Sequence, residues 1–79
     1  MAKVLERREV FIKTSLFCRF TVEEREDGAY LSTYWYPQNE SEADRTLIVF
    51  ETYSAAMTNF QNQIIECLAY QLPYNISLK

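Results

Sequence analysis

Histidine is absent from this 79-residue chain, and glycine occurs once, proline twice and cysteine twice. Without histidine the commonest general base and the commonest metal ligand are missing, and no serine or cysteine has an imidazole to activate it. A lone glycine cannot build a glycine-rich phosphate loop. Two cysteines, Cys18 and Cys67, are too few for a disulfide framework or a zinc site, and both read as small buried hydrophobes. Positive charge is also scarce. Eight Lys and Arg face eleven Asp and Glu, for a net charge of −3 and a pI near 4.8. Tracking nucleic-acid phosphates needs clustered Lys and Arg, so direct nucleic-acid binding is not expected. No run approaches the roughly 20 apolar residues of a bilayer span. The N-terminal eight residues carry charges where a secretory leader needs an apolar stretch. The expectations are a cytoplasmic protein with no membrane partner, no cofactor and no metal.

What is present is a single small α+β domain over 1–79. From Val10 to Val22 the even positions Val10, Ile12, Leu16, Cys18, Phe20 and Val22 are apolar, and only Thr14 interrupts them. This period of two marks half-buried antiparallel strand. Residues 9–24 exceed the usual strand length, so a bend or bulge near Thr14-Ser15 makes either two segments or one long curved strand. Residues 1–8 are a frayed arm or the lead-in to the first strand.

Asp27-Gly28 between strand-like runs favours a two-residue type I′ hairpin. That loop pairs Phe20 with Trp35, Val22 with Thr33 and Glu24 with Leu31 on the core face. The opposite face then pairs Thr21 with Tyr34, Arg19 with Tyr36 and Arg25 with Tyr30. Pro37 ends the strand, and Gln38 to Asp44 is a polar, acidic loop. Arg45 to Tyr53, with Leu47-Ile48-Val49-Phe50 at its centre, reads as a third strand. Thr52 or Ser54 caps a helix whose apolar stripe is Met57, Phe60, Ile64, Leu68 and Leu72, widened by Ile65 and ended by Pro73. The predicted architecture is β-β-β-α: a three-stranded antiparallel sheet, four-stranded if the tail adds a strand, with one long C-terminal helix packed on one face.

Carboxylates cluster at Glu23, Glu24, Glu26 and Asp27 and again at Glu40, Glu42 and Asp44, at opposite ends of the second hairpin strand. They read as two solvated acidic loops rather than a metal site, and a carboxylate-based metal enzyme is the weakest of the functional readings. The richer candidate is aromatic. Phe11, Phe17, Tyr30, Tyr34 and Tyr36 are expected on the non-core side of the sheet with Arg19 and Arg25. Tyr, Phe and Arg are enriched at interface hot spots, and Arg on Tyr is a cation–π pair. These residues are the predicted partner-binding site.

The run Phe20-Thr21-Val22-Glu23-Glu24-Arg25-Glu26-Asp27-Gly28-Ala29-Tyr30-Leu31, followed by Thr52-Tyr53-Ser54-Ala55-Ala56-Met57-Thr58-Asn59-Phe60, resembles the small HicB-like antitoxin domains. The likeness spans roughly residues 16–70. Pro37-Gln38-Asn39 stands where those domains have Pro-Gly-Cys, and no DNA-binding segment follows the helix. The resemblance implies a toxin-binding role. The expected function is a small acidic, non-enzymatic protein-interaction module that binds and inhibits or adapts a partner protein. An antitoxin or a phage-encoded inhibitor of host defence, such as an anti-CRISPR, fits that description. The alternative is a structural homodimer or a small subunit of a larger assembly, because a chain this short folds alone only marginally.

Overall fold

A computed structural model describes residues 2–38, 41–71 and 76–78. The protein is α+β. Its strands are β1 (Lys3–Ile12), β2 (Ser15–Glu24), β3 (Tyr30–Trp35), β4 (Thr46–Phe50) and β5 (Ile76–Leu78). Among the described residues a short 3-10 helix, Glu42–Asp44, precedes β4 and an α-helix, α1 (Tyr53–Gln71), follows it. The strands form one antiparallel sheet in the order β4-β3-β2-β1-β5. The tail supplies the fourth strand foreseen for it, and a fifth arises within the long alternating segment. The long alternating segment is not one curved strand but the hairpin β1–β2, and the tail returns to pair with Val10, Phe11 and Ile12 as β5.

The β1–β2 turn is only Lys13-Thr14, with Ile12 opposite Ser15. Lys13 takes a left-handed backbone, φ +59°. A tight hairpin demands that conformation and glycine or asparagine usually supplies it, so nothing in Lys-Thr announces the turn. Val10 and Cys18 sit opposite one another. Their shared parity in the sequence survives as a shared face even though they lie on different strands. Between them and the turn, Phe17 is an extra residue in β2, because Cys18 pairs with Val10 and Leu16 with Phe11. The bulge reverses the alternation, so Leu16 leaves the face predicted for it.

The β2–β3 hairpin sits where Asp-Gly places it, but its loop has three residues. The Arg25 N–H donates to the Ala29 carbonyl at 2.8 Å, and the Gly28 N–H to the Arg25 carbonyl at 3.0 Å. Gly28 alone in this loop has positive φ, +88°. This is a type I turn closed by a left-handed glycine, whereas type I′ would also need positive φ at Asp27. The Asp27 carboxylate accepts the Ala29 N–H at 3.1 Å and holds the loop. One extra loop residue shifts the register by one. Phe20 faces Tyr34, Val22 faces Ser32, Glu24 faces Tyr30 and Arg19 faces Trp35.

Val10, Cys18, Phe20 and Val22 from the sheet and Ala56, Phe60, Ile64 and Cys67 from the helix form the buried core. Thr52 caps α1, its hydroxyl accepting the Ala55 N–H at 3.1 Å. The stripe holds at Phe60 and Ile64, with Met57 and Leu68 partly buried. Ile65 is 63 % exposed and does not widen it. Leu72, Pro73 and Glu40 lie outside the described residues. The helix covers β2, β3 and part of β4, and Ser32 ties β3 to it by donating to Asn59 Oδ1 at 2.7 Å.

Candidate protein-docking face

The register shift decides where the aromatic side chains go. Tyr30, Tyr34 and Tyr36 lie on the helix-covered face and pack against the core, which corrects their expected place on the opposite side. Their rings interlock edge-to-face: Tyr34 on Tyr36 at 5.9 Å, Tyr36 on Phe17 at 5.5 Å, and Tyr30 on Tyr53 of the helix at 5.8 Å. Phe17, the bulged residue, turns inward with them. Burial pushes the Tyr36 phenol well above its usual range, and the adjoining Cys18 and Cys67 thiols add to the shift. Burial likewise pushes up the Cys67 thiol. Cys67 is therefore a packing residue at neutral pH rather than a nucleophile. Phe11 stays half-buried opposite Leu16 beside β5. Arg25 is exposed at the hairpin and pairs with Asp27 at 2.6 Å. Of the seven predicted residues, only Arg19 lies at the centre of the helix-free face.

That face is built from cross-strand rows. Glu9, Arg19 and Trp35 form one; Arg7, Thr21, Thr33 and Leu47 the next; Val4, Glu23, Leu31 and Val49 the third. Arg19 stacks over the Trp35 ring with Cζ 4.9 Å from its centroid. Its Nε reaches Glu9 Oε2 at 3.3 Å and its Nη1 reaches Glu42 Oε1 at 3.1 Å. The guanidinium on the indole is thus bonded to two carboxylates.

Glu23, on central strand β2, is only 3 % exposed. Arg45 holds it with two bonds, Nη1 to Oε2 at 2.7 Å and Nη2 to Oε1 at 3.3 Å. Thr21 donates its hydroxyl proton to Glu23 Oε2 at 2.9 Å. That proton being used, the Thr33 hydroxyl donates in its close contact with Thr21. Among the described residues, no buried side-chain polar atom lacks a hydrogen-bond partner.

Around this satisfied centre the apolar side chains are open: Val4 54 %, Leu47 49 % and Val49 55 % exposed. Leu31 lies buried between Glu23 and Val49 in the third row. Sequence reasoning missed Trp35 because the assumed loop length put β3 the wrong way up, and missed Val4, Arg45, Leu47 and Val49 because their places depend on how β1 and β4 pair with the hairpin. The one available signal was the alternative register, which sets Trp35 opposite Arg19.

A recess of about 360 Å³ opens between β1 and the helix, lined by Glu6, Arg8, Met57, Phe60, Ile64 and Ile65 among others. The Glu6–Arg8 pair at its rim is 3.8 Å apart. Among the described residues, no three His, Cys, Asp or Glu side chains lie together in a way that could hold a metal ion, and no helix is long and apolar enough to cross a membrane. No protein-family model, no curated protein and no solved structure matches this chain.

Proposed function

We propose that this protein is a non-enzymatic binding module that inhibits or adapts a partner protein, and that it docks through the helix-free face of its sheet. One observation carries the reading. Exposed apolar side chains surround a centre whose polar groups are already paired with one another. Covering such a face strands none of the groups bonded to one another at Thr21, Glu23 and Thr33, so part of the usual cost of desolvating polar groups on binding is avoided. Arg7, Arg19 and Arg45 balance Glu9, Glu23 and Glu42 on or beside the face, within a chain of net charge −3. The fitting partner surface is therefore apolar and near-neutral rather than strongly basic. The likeness to HicB-like domains makes a toxin the first partner to try, and a host-defence protein targeted by a phage inhibitor the second.

The test is capture from lysate by the wild type beside a Val4→Lys, Trp35→Ser double variant whose fold is checked by circular dichroism. The reading expects a protein held by the wild type and lost by the variant. A folded variant that retains the same protein with equal affinity removes this face as the docking site.

A further inference from the structure

We infer that β4 is an assembly edge, pairing antiparallel with β4 of a second copy of this chain to extend the sheet across a two-fold axis. Natural sheets protect their edges with short strands, Lys, Pro or bulges. The β5 edge follows that rule, being three residues long. The β4 edge does not. Thr46-Leu47-Ile48-Val49-Phe50 contains no charge, proline or glycine and pairs with β3 without a register shift. An unbroken apolar run is the pattern of a strand buried on both faces, yet Leu47 and Val49 are about half exposed on one face and Ile48 and Phe50 only partly covered on the other.

The backbone shows which groups are open. The Arg25 N–H points across to Ala29. By the alternation of an antiparallel ladder, Arg19, Thr21 and Glu23 also point their backbone groups toward β3, and Tyr30, Ser32 and Tyr34 point theirs toward β4. Their β4 partners Phe50, Ile48 and Thr46 point back. Leu47 and Val49 therefore present N–H and C=O outward.

A two-fold axis at Ile48 sets Leu47 opposite the second copy's Val49, so that these outward groups bond to one another. It also sets Thr46 opposite Phe50 and Ile48 opposite itself. One step beyond the strand, it sets Arg45 opposite Glu51 on the same helix-free face. Arg45 spends one N–H from each of Nη1 and Nη2 on Glu23 and has five in all, so its pairing with Glu23 leaves donors for a second carboxylate. The two neighbouring registers that keep the outward groups paired lose this complement. One sets Arg45 against Val49, and the other sets Leu47 against Glu51. Charge complementarity selects the axis at Ile48, and in that register every apolar side chain except Phe50 meets another apolar one.

Sedimentation equilibrium with two variants tests the pairing. Wild type should show twice the 9.4 kDa chain mass at about 100 μM. Leu47→Pro removes an outward N–H and no β3–β4 bond, so it should run at 9.4 kDa with native circular dichroism. Glu51→Lys opposes Arg45 with a like charge and should weaken association about tenfold or more. This second variant decides the matter if the proline variant does not fold. A wild type that stays at 9.4 kDa up to about 1 mM, or a dimer equally tight in the folded variants, overturns the proposal. The readout is mass alone, so it is separate from partner capture through Val4 and Trp35.

Discussion

Arg45→Met should be among the most damaging single changes on the surface of this protein. The substitution keeps a long apolar stem but removes both bonds to Glu23, whose side chain is 4 % exposed while that of Arg45 is 34 % exposed. Removing one partner of a buried ion pair costs roughly 3–5 kcal/mol, because the remaining charge is stranded. Water already reaches the Arg45 side, and Thr21 still donates to the carboxylate, so the expected loss is at the low end, about 3 kcal/mol. A domain of this size is stable by roughly 4–12 kcal/mol in all, and the midpoint of thermal unfolding should fall by about 12–24 °C. Urea unfolding followed by far-UV circular dichroism measures the change. Glu23→Gln keeps the shape and an acceptor for Thr21 and leaves only the half-solvated guanidinium unpaired, so it should cost about 1 kcal/mol. In the double variant no stranded charge remains, and the two losses should fall short of additive by at least about 1 kcal/mol. An Arg45→Met loss below about 0.5 kcal/mol, or strict additivity, would refute the buried-charge explanation.

Gly28→Ala should destabilise by about 1 kcal/mol through backbone strain alone, because φ is +88° and the space a methyl would fill is empty; no loss by denaturant titration would disprove the left-handed turn. Lys13→Gly should do the reverse, adding up to about 1 kcal/mol by relieving the left-handed lysine. Alkaline pH should unfold the protein. Cys67 and Tyr36 lose their protons less readily folded than unfolded, so the stability they contribute is complete below their unfolded values, near 9 for the thiol and 10 for the phenol, and declines as pH rises past them. Tyr36→Phe with Cys67→Ala should flatten that decline in thermal melts between pH 8 and 11; an unchanged slope would rule these groups out as its cause.

Much of the fold is legible in the chain because it follows from local chemistry. The alternation at Cys18, Phe20 and Val22 and the three- and four-residue spacing of Met57, Phe60 and Ile64 mark faces that must be buried somewhere. Thr52 and Asp27-Gly28 carry the polar and conformational properties of a helix cap and a turn. The candidate site was far less legible. A strand has period two, so one residue of slip exchanges its faces. The step from a two- to a three-residue loop at Gly28 moved Tyr30 and Tyr34 under the helix and brought Trp35 beside Arg19.

Composition and local pattern suffice for the α+β class, the place of the acidic hairpin, the capped amphipathic helix and the lack of histidine chemistry, since each depends on neighbouring residues or on residue counts. That the first long strand is a hairpin, which way up β3 lies, and that Arg45 meets Glu23 across 22 positions emerge from the assembled sheet. Those outcomes depend on register and on contacts distant in the chain. The energies that select them, a turn conformation here and a buried carboxylate there, exist only once the strands are side by side.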